Sequence, residues 1–202
     1  MKLLVLFYST YGHIYSLAKA AAEAAEKAGA EVHLKRVPET LPPEVLEKIG
    51  GLQAAEAWKD VPVASPEELP QYDAILFGSP TRFGMMASQM KAFLDGTGGL
   101  WAKGALVDKL AGVFTSTATQ HGGQEATILS FHTVLLHHGM ILTGLPYSFP
   151  GQSSMDAVIG GSPYGAGTVT GPDGSKSPET ADLDGVRFQA ERLVKLGMKL
   201  KA

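Results

Sequence analysis

The chain opens with Leu3-Leu4-Val5-Leu6-Phe7, an unbroken apolar run and not an alternating one, which predicts a strand of a parallel sheet covered on both faces. Behind it Ile14, Leu17, Ala18, Ala21, Ala25 and Ala28 recur at helical spacing, with Lys19, Glu23, Glu26 and Lys27 on the other side and Gly29 as a stop. A crossover helix is therefore expected. The alternation continues with strands over 31–36, 74–78 and 110–116 and a helix marked by Met86, Met90, Phe93 and Leu94. A helix over 124–138, a fifth strand over 140–143 and a C-terminal helix through Leu183, Val186, Ala190, Leu193, Val194 and Gly197 complete the pattern. Alternating strands and helices predict an α/β, doubly wound, five-stranded parallel sheet in three layers, with residues 1–202 as one domain.

Two connections are longer than such a fold needs, 37–73 after strand 2 and 144–181 after strand 5. Insertions beyond ~15 residues usually carry function, order an interface or are disordered. The helix through Ile128, Leu129, Phe131, Val134, Leu135 and Leu136 is apolar nearly all round, and two readings stand: one face meets another subunit, or the 144–181 segment of the same chain covers it.

Composition narrows the chemistry. Lys plus Arg number 17 against 20 Asp plus Glu, a net charge of −3, with 45% hydrophobic residues. That fits a globular core and offers no basic field for nucleic acid and no polybasic segment for anionic membranes. There is no cysteine, so thiol nucleophiles, Cys-ligated zinc and iron–sulfur clusters are excluded, and redox chemistry has to come from a bound cofactor. No run approaches the ~18 apolar residues of a membrane span, and the first strand lacks a signal-peptide pattern. A cytoplasmic protein is expected.

Ligands of open α/β sheets bind outside the carboxyl ends of the strands, so the segments after strands 1, 3 and 4 carry the argument. The first is Ser9-Thr10-Tyr11-Gly12-His13-Ile14, a polar turn feeding a helix start. It reads either as an anion site or as an ordinary N-cap. The second is Ser79-Pro80-Thr81-Arg82-Phe83-Gly84, in which Pro80 stiffens a turn, Thr81 reaches a phosphate or ring edge and Phe83 offers an apolar wall. A proline turn with a surface arginine is the plain alternative. The third is Ser116-Thr117-Ala118-Thr119-Gln120-His121-Gly122-Gly123, whose small residues admit a planar ligand close to the backbone. Three such segments on one sheet edge point to a shared site.

Other motifs do not support a rival chemistry. After strand 1 only Gly12 is present, so a G-x-G-x-x-G dinucleotide fingerprint is missing, and Gly165-Ala166-Gly167 reads as part of a loop with no strand before it. There is no G-x-S-x-G elbow, no P-loop and no H-E-x-x-H among the six histidines. No metal site is expected.

The runs YSTYGHI (8–14), KRVPET (35–40), GSPTRFG (78–84), FLDGTGGLWAKGAL (93–106), HHGM (137–140) and GGSPYGAGT (160–168) resemble the flavodoxin-like NAD(P)H:quinone oxidoreductases of the Trp repressor-binding protein (WrbA) type, from the first strand to the last helix. The resemblance implies a flavodoxin-like strand order, bound FMN, NADH or NADPH as electron donor, ping-pong reduction of quinones to hydroquinones and a homotetramer built as a dimer of dimers. By position it puts the FMN phosphate at Ser9 to Ile14, with Pro80, Thr81, Arg82 and Phe83 along the flavin and the 116–123 loop at its pyrimidine end. It further implies His137 as a flavin-site histidine, Tyr11 as a nicotinamide-nucleotide contact and Trp101 as a quinone-pocket residue reaching a neighbouring subunit's flavin. The chain departs from the family pattern where Gln120-His121 interrupts a glycine run and Ala118 stands at a frequent glycine position. On residues alone His137 also reads as a buried helix-end histidine and His121 as a solvated one, while Trp101, although most tryptophans are core or interface residues, follows the loop Gly96-Thr97-Gly98-Gly99 and reads as an exposed pocket residue. An electron-carrier flavodoxin, a repressor-modulating protein and a flavin-dependent azo or nitro reductase are the competing functions.

Overall fold

A computed structural model describes residues 1–201. Strand β1 (Lys2–Phe7), helix α1 (His13–Lys27) and strand β2 (Glu31–Arg36) open the chain; α2 (Pro43–Lys48) and α3 (Gly51–Ala55) lie in the first long connection. Then come β3 (Ala74–Arg82), β4 (Met85–Met86), α4 (Ser88–Asp95), α5 (Gly98–Ala102) and β5 (Leu110–Thr117). Helix α6 (Gln124–His137), β6 (Ile141–Thr143), β7 (Ala166–Val169) and α7 (Thr180–Lys201) close it. The sheet runs β2-β1-β3-β5-β6 with every neighbouring pair parallel, the strand order of a flavodoxin-like fold.

The unbroken apolar run of β1 is explained by what lies on its two sides. Leu3, Val5 and Phe7 pack with Leu17 and Ala21 of α1 and Val186, Ala190 and Leu193 of α7. Leu4 and Leu6 pack with Met90 and Phe93 of α4 and Ile128, Phe131 and Leu135 of α6. Successive side chains point to opposite faces, so both parities must be apolar when both faces are covered.

Two expectations are corrected here. Strand β3 does not stop at Gly78 but continues to Arg82, and Pro80 pairs in register with Ser116 of β5. A proline is tolerated there because the β1 ladder has ended at Phe7–Gly78, leaving β3 with a single strand neighbour. Thr81 and Arg82 then pair with Met86 and Met85 across a two-residue turn in which Phe83 has φ 53 and Gly84 φ 77, the geometry of a type I′ hairpin.

The second correction concerns the fifth strand, which is split. Strand β6 pairs with Leu110–Gly112 at the start of β5, and β7 pairs with Phe114–Thr117 at its end. The 144–165 segment is thus inserted within the strand and not after it. The Gly165-Ala166-Gly167 run leads into β7, which starts at Ala166, and Gly165 just before it has to be glycine because a Cβ would lie 2.1 Å from the Val113 carbonyl oxygen. The insertion packs through Leu145 and Phe149 against α7, with the Phe149 and Phe188 rings tilted at 45° and their centroids 5.4 Å apart. It leaves Leu129 and Leu136 on α6 exposed, at 43% and 60%.

Candidate flavin site

At the carboxyl ends of β1, β3, β5 and β7 the chain encloses a cavity of about 380 Å³, within the usual range for small-ligand sites. Ser9, Thr10, Tyr11, His13 and Ile14 line it from the first segment, and Pro80, Thr81 and Arg82 from the second. Ser116, Thr117 and Ala118 come from the third, so the three segments picked out in the sequence do converge.

The first segment has the backbone of an anion cradle. Gly12, with φ 100, turns the chain into α1, and the Ser9 hydroxyl accepts the Gly12 and Tyr15 amides at 3.1 and 3.4 Å. Among the described residues, the amides of Thr10, Tyr11, His13 and Ile14 have no hydrogen-bond partner. Free amides at the start of a 15-residue helix, reinforced by its dipole, fit a phosphate. Trp58, buried in the 37–73 connection, backs this turn: its ring lies 3.7 Å from where a Gly12 Cβ would be and 5.5 Å from Tyr15.

Hydrogen bonds tie the segments together. Arg82 donates to Thr10 Oγ1 at 2.8 Å and to its neighbour's carbonyl, Thr81, at 2.9 Å. Among the described residues no carboxylate pairs with the Arg82 guanidinium. Thr81 Oγ1 accepts the Gly84 amide at 3.1 Å and lies 2.7 Å from Thr127 Oγ1 on α6. The third segment closes on the hairpin at Gly123, whose φ is 91 and whose Cβ would stand 3.1 Å from Gly84 Cα. Behind Thr10, the Tyr8 hydroxyl donates to Glu39 at 2.9 Å, and Gln89 donates to the same carboxylate at 2.8 Å. Burial, with Glu39 adding to it, pushes the Tyr8 phenol up to about 12, so it stays a proton donor.

A fourth wall escaped sequence reasoning. Thr170, Gly171, Pro172, Asp173 and Gly174 follow β7 and line the cavity. His13 Nε2 donates to the Gly174 carbonyl at 3.0 Å, joining this wall to the start of α1, and burial holds His13 below the ordinary histidine range. The signal was the small and β-branched run Ala166 to Thr170 followed by Gly-Pro-Asp-Gly, a strand-then-turn pattern hidden by the glycine run before it.

The remaining expected residues lie elsewhere. Phe83 is fully exposed at the tip of the hairpin. Thr119 accepts the Thr117 hydroxyl at 2.8 Å and the Gly122 amide at 3.0 Å, while Gln120, His121 and Gly123 edge a neighbouring depression shared with residues 159–162. Trp101, on α5, is 58% exposed and not a core residue. His137 ends α6, 14 residues from the cavity end of that helix, about 20 Å along its axis, and is exposed. The structure therefore does not bring His137 or Trp101 to the cavity of its own chain.

The chain matches the family model described as NADPH-dependent FMN reductase over residues 1–153. Among curated relatives, the "NAD(P)H dehydrogenase (quinone)" of Geobacter sulfurreducens is 56% identical over 201 residues, covering 99% of both chains. That of Geobacter metallireducens is 56% identical over the whole of both. Among solved structures, a WrbA-like flavodoxin from Agrobacterium tumefaciens superposes with TM-score 0.63 at 23% identity, covering 98% of each chain. Flavodoxin 2 from Bacillus cereus gives 0.63 at 18% identity over both complete chains. These two share the fold.

Proposed function

Because the chain belongs to the NADPH-dependent FMN reductase family, and within it is related end to end to the NAD(P)H dehydrogenases (quinone), we propose that it is an FMN-dependent NAD(P)H:quinone oxidoreductase. The observation that carries the reading is the row of four free amides at the start of α1 inside a cavity walled by four strand ends. A flavin phosphate fits that row. When bound, FMN supplies a two-electron relay between NAD(P)H and a quinone, and donor and acceptor taking turns at one face gives ping-pong kinetics.

The chain's own residues bind and orient. The amides of Thr10, Tyr11, His13 and Ile14 hold a phosphate without needing a cation. Arg82, kept in place by Thr10, holds an unpaired positive charge at the cavity, where it would bind an anionic group of the cofactor or the donor nucleotide. Ala118 and Pro80 leave room for a flat ring system, and Tyr11, 52% exposed at the rim, offers a face to the donor's nicotinamide.

Trp101 and His137 complete this site from another copy. They are exposed at the amino edge of the sheet, opposite the cavity, where the end of α6 also leaves Leu136 uncovered. A homotetramer, a dimer of dimers, reconciles their role with their position. No described helix is long and apolar enough to cross a membrane, and we place the enzyme in the cytoplasm.

The test is anaerobic: load the protein with FMN, remove the excess, add NADH and then NADPH in a parallel sample, follow the flavin band, and add benzoquinone. Bleaching by either donor and return of colour with the quinone are expected. A retained flavin that neither donor bleaches overturns the reading.

A further inference from the structure

The segment that carries Trp101 is fastened to the end of α6 at two points. Thr97 starts the α5 turn, its carbonyl accepting the Leu100 and Trp101 amides at 2.9 and 3.0 Å. Its side chain, 1% exposed, meets His138 Nε2 at 2.8 Å. Eleven residues on, the Asp108 amide donates to the Gly139 carbonyl at 3.0 Å, and Gly139 is held to glycine by φ 74 and by Val107, 3.0 Å from a would-be Cβ. The second fastening is backbone alone; the first depends on one side-chain pair.

Proton counting fixes the state of that pair. The Thr97 hydroxyl has one hydrogen and spends it on the Leu94 carbonyl, 2.5 Å away, which can only accept. Towards His138 it must therefore accept, so Nε2 carries the imidazole hydrogen. Nδ1 is buried with no partner. As a bare nitrogen it costs one unmade bond; protonated, it would be a buried charge with a donor facing nothing. His138, 7% exposed, is thus a neutral donor with a single task.

We propose that His138 is a positioning residue for Trp101: by donating to Thr97 it fixes the turn from which the tryptophan projects, and so sets the angle of the aromatic wall offered to a flat acceptor. The proposal rests on reading Trp101 as part of the quinone site. It assigns distinct tasks to two adjacent histidines, the exposed His137 facing another copy and the buried His138 holding Trp101 in place.

The experiment uses the FMN-loaded protein in a Trp58→Phe background, leaving Trp101 as the sole tryptophan of the two in the chain. His138→Leu and Thr97→Val remove the bond from either side, the second being isosteric and the safer for folding, while His138→Gln keeps a donor at the Nε2 position. Acrylamide quenching of Trp101 is read beside the quinone KM and the rate of flavin bleaching by the nucleotide. Expected are a changed quenching constant and a quinone KM raised roughly fivefold, the scale of one neutral hydrogen bond, in Thr97→Val and His138→Leu. Bleaching should be unaltered, and both effects should be restored in His138→Gln. Unchanged quenching in Thr97→Val, or no rescue by His138→Gln, overturns the proposal. Changed quenching with a KM indifferent to Thr97→Val and to Trp101→Leu alike overturns the acceptor-wall role itself and leaves His138 holding only the fold.

Discussion

The two ends of the sheet are built on opposite plans. At the carboxyl edge four segments distant in sequence lock into one cavity through the Arg82–Thr10, His13–Gly174 and Thr81–Thr127 contacts, and the flavin cradle they form is built by one chain alone. At the amino edge Trp101, Leu136 and His137 stand exposed, away from the cavity of their own chain. A cofactor has to be held continuously, so its cradle is intramolecular; a face exposed on one chain acquires a partner only by assembly. Flavin binding is therefore separable from turnover, and each end can be damaged alone.

The largest effect is expected at the cradle. Gly12→Val forces a β-branched residue to φ 100, costing about 2 kcal/mol or more, roughly a 30-fold weakening of FMN binding by fluorescence titration. Arg82→Ala removes a charged donor worth about 1.5–3 kcal/mol; the expected outcome is a KM for NAD(P)H or a Kd for FMN raised tenfold or more, less so at high salt. At the other end, Leu136→Asp should shift the assembly toward smaller species on a sizing column and abolish quinone turnover while FMN stays bound. Loss of flavin from that variant would erase the distinction between the two ends.

Smaller effects sharpen it. Phe83 holds a left-handed φ of 53 in a turn that prefers Asn or Gly, with its ring wholly exposed. Phe83→Asn is expected to raise the unfolding free energy by about 0.5–1 kcal/mol while weakening substrate binding, a trade expected of a residue kept for contact. Acid should loosen the protein through His13, His132 and His138, each held by burial below the ordinary histidine range. Their unfolded forms bind protons first, so stability falls as pH drops below about 6.5 toward their folded values. Asp182, buried and raised, acts in the opposite sense: its contribution declines as pH rises through its folded value. Melting curves in His132→Leu should show a shallower acid decline.

The fold was legible where burial forces a repeating pattern. The apolar run of β1, the helical spacing of α1 and α7 and the strand–helix alternation yielded the five-position sheet, because two covered faces demand them. The split fifth strand was not legible, since β6 has only three residues and the four-residue β7 is entered through Gly165 and holds Gly167, a run that reads locally as loop. With β7 misread, Thr170 to Gly174 dropped out of the candidate site. Ser9 to Ile14 and Thr81–Arg82 were legible because turn chemistry and position at a strand end coincide. The role of His138 depends on a hydrogen bond spanning 41 residues, which no local pattern encodes.

The most direct test is to titrate the protein with FMN and with riboflavin under one set of conditions. If the free amides of α1 are a phosphate cradle, riboflavin, lacking only the phosphate, binds at least about 100-fold more weakly, the scale of two charge-assisted hydrogen bonds. Equal affinity for the two would mean that the start of α1 is an ordinary helix cap, and the flavin site would have to be sought elsewhere.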